Sequence, residues 1–179
     1  MTPSFCTSMA EYNRWMNSRL FDASAKLTEM QLFEDRGAFF GSLFETLNHI
    51  VAADLIWLHR FARQDGLLEI GRVLQGLPGP SSLREPVAQT LPDLWAIREK
   101  VDEVICNLAS LATEQTLSGT LHYSNTSGQT QAKNLGLLMQ HFFNHQTHHR
   151  GQATTLLFQA GIDIGVTDLN ALIPSELRD

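Results

Sequence analysis

Four of the seven histidines lie close together near the end of the chain, at His141, His145, His148 and His149. The sequence has only two cysteines, so a metal site in it would be built on imidazole rather than on thiolate. Residues four positions apart on an α-helix share a face, so His145 and His149 can converge on one cation. A helical projection places His149 near the middle of the apolar stripe and His145 at its edge, whereas His141 and His148 lie nearer solvent. An HxxxH pair alone is equally compatible with one core histidine and one surface histidine.

A third histidine ligand would have to come from another segment of the chain. The candidates are His49, His59 and His122. A helical projection puts His49 beside a flank of small residues that would let a neighbouring helix approach closely, and it puts His59 on the solvent side. Helical periodicity alone does not select one of the three.

The polar residues around these histidines offer no clear general base. Gln146 follows His145, so the segment lacks the HExxH pattern of metalloproteases and the simplest peptidase interpretation is excluded. Asp54 projects into an apolar stripe, where a carboxylate needs a partner. It either orients an imidazole or accepts a hydrogen bond from a Trp or Tyr, and we favour the structural role. Arg150 is expected on the surface unless it binds an anionic substrate, and Gln152 either touches a ligand or caps a neighbouring backbone group.

Four segments with helical periodicity must position these side chains. They span about Ser8–Leu27, Phe39–Phe61, Leu91–Leu111 and Asn134–Ala160, with Ser8 as the N-cap of the first and Gly161 just beyond the last. We therefore predict an all-α protein with a four-helix-bundle architecture, forming a single domain over residues 1–179.

Two connections interrupt this helical pattern. Residues Gln64–Thr90 are rich in Gly and Pro and long enough to cross over the bundle. Residues Thr116–Lys133 predict a small hairpin inserted between the third and fourth helices. Tyr123 and Asn125 could line a pocket there, although hairpin packing explains them equally well. The tail from Asp163 to Asp179 is expected to be a short, extended or irregular cover.

The composition excludes several classes of partner. With 13 Lys and Arg against 19 Asp and Glu, the formal net charge is −6, which disfavours general nucleic-acid binding and anionic membrane surfaces. No apolar run is long enough for a transmembrane helix, and the first ten residues do not form a signal peptide. We expect a reduced, cytoplasmic compartment, because two distant cysteines make no disulfide framework.

Three parts of the sequence resemble the DinB family in order and spacing. They are the segment from Tyr12 to Leu20, the Leu47-Asn48-His49-Ile50 string with Asp54 and Trp57, and the final HxxxHRGQ string. The resemblance extends over about Glu11–Leu172 and implies an up-up-down-down four-helix bundle, commonly a homodimer, with a divalent metal bound by three histidines. Carried over residue by residue, the implied ligands are His49, His145 and His149. The family name records induction by DNA damage and does not imply DNA binding.

Three imidazole ligands leave at least one coordination position open, as in catalytic metal sites. Such a site can activate water for hydrolysis, or it can stabilise the thiolate of a small thiol cofactor. Relatives that resemble this family include thiol-dependent transferases and isomerases, so we expect a metal-dependent enzyme acting on a small-molecule substrate. A non-enzymatic dimeric bundle that binds a metal or a small ligand is the alternative. Histidine nitrogen suits several ions, of which zinc or nickel is expected.

Overall fold

The computed structural model describes residues 1–176, which are mostly helical with one small β-sheet. The helices are α1 (Pro3–Ser24), α2 (Glu29–Phe33), α3 (Leu43–Phe61), α4 (Leu68–Val73), α5 (Leu91–Leu111), α6 (Glu114–Ser118) and α7 (Leu135–Gln159). Strands β1 (Thr120–Ser124) and β2 (Thr130–Asn134) pair antiparallel, and a 3₁₀ turn covers Leu169–Leu172. The prediction of a helical protein with a hairpin ahead of its last long helix is confirmed.

The first long helix begins earlier than its apolar pattern predicts. It begins at Pro3 rather than Ser8, because the Thr2 side chain accepts a hydrogen bond from the Phe5 amide and proline suits the first helical position. It ends at Ser24 rather than at Leu27. The expected N-cap at Ser8 is therefore wrong, since a cap and a proline define this end without apolar periodicity.

The second long helix begins later than predicted, at Leu43 rather than Phe39. Ser42 and Glu45 form a reciprocal capping box, which satisfies two free amides at the helix start. Gly41 has a φ of 82°, a left-handed conformation that glycine adopts without strain and that separates the helix from the preceding turn. Phe39 and Phe40 consequently lie in a tight turn closed by the Ala38–Gly41 bridge.

The last two long helices agree closely with the sequence pattern. Helix α5 has the predicted bounds, and α7 lies between Asn134, whose side chain caps it, and Ala160. The two connections also contain the short helices α4 and α6, which were not predicted. Residues 116–118, predicted as part of the hairpin, belong to α6. A short helix of one or two turns is too brief to show a clear apolar period.

Each of the four long helices packs against two others: α1 and α3 both contact α5 and α7. Their facing sides carry most of the buried apolar core, and β1 lies against α3 while α6 lies against α7. The described part of the tail follows α1, where Tyr12 Oη donates to the Thr167 carbonyl at 2.8 Å and Arg19 donates to the Ile164 carbonyl at 2.6 Å. The end of the predicted tail, residues 177–179, lies outside the described residues.

A network of buried charges joins the four long helices. Arg98 on α5 is fully buried and forms salt bridges with the carboxylates of Asp54 on α3 at 2.6 Å and Asp102 on α5 at 2.9 Å. Burial opposes the charge of Arg98, but the Asp102 and Asp54 carboxylates beside it hold its pKa above the ordinary value. Burial raises the pKa of both aspartates against the opposing effect of Arg98. Asp54 therefore has a structural role, as favoured, but its partner is an arginine rather than a Trp or Tyr.

The network continues from α5 to α1 and α7 through amide side chains. The side-chain amides of Asn17 and Asn13 donate to the Asp102 carboxylate at 2.9 and 3.3 Å. Arg150 of α7 donates in turn to the side-chain oxygen Oδ1 of Asn13. Arg150 is buried, and burial lowers its pKa to about 10. The expected surface position of Arg150 is wrong, because a partner on another helix cannot be seen in the pattern of one helix.

Within residues 1–176, no helix combines the length and apolar character needed to cross a bilayer.

We expect replacement of Arg98 by methionine to lower the free energy of unfolding by about 3–5 kcal/mol, because it leaves two buried carboxylates without their cation. Urea denaturation of the purified protein measures this change. Lys100→Met on the exposed face of the same helix is the control, with an expected change within about 0.5 kcal/mol. Equal stability of the two variants would show that the network contributes nothing net.

Candidate metal centre

Two helices bring three histidines together. His49 lies in the second turn of α3, and His145 and His149 lie one turn apart on α7. One ring nitrogen from each lies within 4.8 Å of the other two, and this group could hold a metal ion. His49 and His149 are buried and His145 is half-buried. The structure thus brings together the three residues that the family resemblance implies.

The other histidines are not members of this group. His141 and His148 are exposed on α7, as the helical projection indicates, and His122 is exposed on β1. His59 is half-buried near the end of α3, where its Nε2 atom has no hydrogen-bond partner among the described residues.

Hydrogen bonds at Nδ1 orient two of the three rings. His49 Nδ1 lies 3.0 Å from the Leu83 carbonyl oxygen, and His149 Nδ1 lies 2.7 Å from Gln152 Oε1. Both partners accept hydrogen bonds, so each neutral ring carries its proton on Nδ1 and leaves a lone pair on Nε2. Contacts of this kind fix the tautomer of metal-ligating histidines.

The segment that supplies the Leu83 carbonyl is held against α3 by the residue before His49. Asn48 donates to the Glu85 carbonyl at 2.9 Å and accepts a hydrogen bond from the Val87 amide at 2.8 Å. These two hydrogen bonds hold this part of the long connection in place, although it forms no helix or strand. Leu83 therefore reaches His49 although it lies in an irregular segment.

The contact between His49 and His149 fits a cation. Their Nε2 atoms face each other at 3.2 Å, yet with both protons on Nδ1 neither atom can donate a hydrogen bond to the other. Two lone pairs at this distance repel each other unless a positive ion lies beside both. Imidazole nitrogens suit a transition-metal or zinc ion, so the donor set fits the divalent metal that the sequence predicts.

The local environment keeps the three imidazoles neutral. Burial lowers the pKa of His49 to about 4 and, together with the neighbouring histidines, the pKa of His145 to about 3. Burial also lowers the pKa of His149, in spite of its hydrogen bond to Gln152. Neutral imidazole is the form that ligates metals, so no proton has to be displaced from these groups at neutral pH.

An aromatic ring covers one side of the group. Phe40 stacks on His49 with ring centroids 3.9 Å apart and meets His149 edge-on at 5.5 Å. Phe40 also lines a cavity of about 220 Å³, whose wall combines apolar side chains with Glu45, Asn48, Arg84 and Gln89. Because Phe40 is itself buried, it excludes water from this side of the three histidines.

Sequence reasoning missed two of the groups that shape this site. The Leu83 carbonyl and the Phe40 ring come from irregular segments, where no periodicity indicates what a residue faces. Gln152 had a signal, because it lies three residues after His149 on the same helix and so shares its face.

The remaining sequence candidates have structural roles. Asn125 holds the hairpin loop, since its Oδ1 accepts from the Ser127 and Gln129 amides. Tyr123 is buried against Trp57. Gln146 is fully buried beside His145 and, as an amide, supplies no base.

Two comparisons with known proteins found a match. A family model described as the DinB family matches residues 1–176. The protein named Protein DinB from Bacillus subtilis (strain 168) is 26% identical over 166 residues, which cover 92% of this chain and 91% of that protein. No solved structure matches the chain.

In protein loaded with zinc at pH 7, we expect His49 and His149 to be neutral with the proton on Nδ1, because both Nδ1 atoms face fixed acceptors. Free imidazole has no such restraint, so exposed His122 serves as the internal reference. Nitrogen–proton correlation spectra of the histidine rings distinguish the two tautomers. A proton on Nε2 of both buried rings would contradict the proposed orientation.

Proposed function

The chain belongs to the DinB family, and we propose that it is a metal-dependent enzyme in which His49, His145 and His149 bind one zinc or nickel ion. The observation that carries this proposal is the 3.2 Å approach of two Nε2 atoms whose rings both use Nδ1 as donor. A purely structural pair of buried histidines would be expected to share a proton between the two facing nitrogens.

Three neutral ligands suit a catalytic ion better than a structural one. The group contains no carboxylate or thiolate, so its ligands would leave the full charge of a divalent ion in place. When bound, such an ion supplies a Lewis acid with an open position, which can lower the pKa of water or of a thiol or polarise a carbonyl.

The chain's own residues perform the supporting tasks. The Leu83 carbonyl and Gln152 hold the two imidazoles in the ligating tautomer, which raises their basicity. Phe40 keeps water from one side of the group. The reaction classes that fit are hydrolysis and transfer or isomerisation with a small thiol cofactor.

Several broader predictions accompany this proposal. The pairwise packing of the four long helices supports a single domain with an up-up-down-down four-helix bundle. A homodimer, implied by the family resemblance, is tested by light scattering, in which a concentration-independent monomer would exclude it. The cytoplasmic location and the absence of nucleic-acid and membrane partners stay predictions.

We expect tag-free protein to purify with about one zinc or nickel ion per chain, and we expect less than about 0.1 in His49→Ala and in His145→Ala, because two imidazoles hold an ion far more weakly than three. Elemental analysis measures the content. His122→Ala, which removes an exposed histidine outside the group, should retain the wild-type content. Metal content that is low in wild type and unchanged by the variants would refute the metal centre.

Activity separates the enzyme from the non-enzymatic alternative. Metal-loaded protein is supplied with simple esters or amides and, separately, with small thiols and an electrophile, and product formation is followed. We expect turnover that falls at least 100-fold in His49→Ala and is unchanged in His122→Ala, since only the former removes an ion ligand. Stoichiometric metal without turnover on either set would favour the binding protein.

A further inference from the structure

A second cavity, of about 420 Å³, lies at the carboxyl end of α3 and shares no lining residue with the histidine group. His59, Arg60 and Arg63 of the α3 region line it, together with Gly79 and Pro80 of the long connection and Ser124 of β1. It is open to solvent, and its wall combines these polar side chains with the apolar side chain of Ile56.

The cavity has no acidic counterpart. No Asp or Glu lines it, and within residues 1–176 neither Arg60 nor Arg63 takes part in a salt bridge. Two arginines therefore line one concave site that has no carboxylate among its lining residues, although the net charge of the chain is −6. The site therefore offers positive charge to an anion from outside the chain.

Arg60 is held in place before any ligand arrives. Its guanidinium lies 4.6 Å from the centre of the Trp57 ring and 5.0 Å from the centre of the Tyr123 ring. These two contacts restrict the Arg60 guanidinium, so less side-chain freedom is lost on binding. Burial lowers the pKa of Arg60, as does Arg63 to a smaller extent, while Tyr123 opposes the effect. A partly buried cation without a counter-ion is destabilising, and an anion would relieve that cost.

A third donor lies in the same cavity. The Nε2 atom of His59 is buried without a hydrogen-bond partner among the described residues, although buried polar atoms in proteins are usually paired. A small rotation of the His59 ring would bring this nitrogen to a ligand oxygen in the cavity.

The position of these cations at a helix end explains part of the arrangement. Positive side chains in the last turn of a helix interact favourably with its free carbonyl groups. That effect accounts for the position of Arg60, but Arg63 lies beyond the end of α3 at Phe61. It also does not account for a guanidinium that contacts two aromatic rings, or for the unpaired imidazole nitrogen of His59.

We propose that His59, Arg60, Arg63 and Ser124 form a binding site for the phosphate group of a small molecule. One guanidinium group can donate two parallel hydrogen bonds to two phosphate oxygens. A phosphate dianion has enough oxygens to accept from two arginines, an imidazole and a hydroxyl at once. A carboxylate offers only two oxygens to the same donors.

The phosphate site is separate from the three histidines and does not depend on the proposed function. Arg60 follows His49 by eleven positions on α3, which is about 16 Å of helix. A variant that disrupts the histidine group should therefore leave phosphate binding intact.

Isothermal titration of the full chain with inorganic phosphate, at an ionic strength held constant with chloride, tests the site. We expect saturable binding with a Kd that rises about tenfold in Arg63→Gln. Arg60→Lys retains the charge but loses the planar fork, and we expect about a fivefold rise. Arg14→Gln removes an exposed arginine on α1, outside the cavity, and should change the Kd by less than twofold.

Four results would overturn the proposal. They are the absence of saturation in wild type, an equal effect of Arg14→Gln and Arg63→Gln, tighter binding of succinate than of phosphate, and loss of phosphate binding in His145→Ala. The last would place the phosphate at the histidine group instead. Circular dichroism of each variant confirms that it is folded, and two independent cavity variants keep the test valid if one of them fails to fold.

Discussion

The structure depends on a buried network in which the positive charges of Arg98 and Arg150 are placed among the carboxylates of Asp54 and Asp102. Each of these side chains would destabilise the interior strongly if it were left without its partners. Together with Asn13 they lie on all four long helices, so the bonds can form only when every helix has one particular rotation and depth. Apolar packing alone would tolerate several neighbouring alignments of the same helices.

This constraint extends to the histidine group, because residues of the network lie close to the histidines on the same two helices. Arg150 directly follows His149, and Asp54 lies five residues after His49 on the same helix. The hydrogen bonds and salt bridges of Arg150 and Asp54 therefore fix the axial positions of α7 and α3 relative to each other. The 3.2 Å approach of the two Nε2 atoms needs such precision, since a shift of one helical residue moves a side chain by about 1.5 Å along the axis and by about 100° around it.

The sequence predicts those parts of the fold and site that depend on local signals. The bounds of α5 and α7 follow from apolar periodicity and good caps, and the pairing of His145 with His149 follows from helical geometry. The choice of His49 rests on resemblance to a family, because its contact with α7 spans a hundred residues of sequence. Arg150 was misplaced for the same physical reason: a projection of one helix weighs polarity but contains no information about partners on another.

The net charge of a chain predicts the sign of the electrostatic potential over its whole surface, but it does not predict the sign of the potential in a particular cavity. The buried network contributes two positive and two negative side chains, so the net charge of −6 resides in the rest of the chain. Within this acidic surface, α3 carries neutral imidazole near its start and unpaired guanidinium near its end. With a divalent ion at the histidines, both positions would attract anionic groups of a small molecule, while the surrounding acidic surface would repel an extended polyanion. The same charge that disfavours nucleic acid is thus compatible with local recognition of phosphate, because screening limits each effect to about a Debye length.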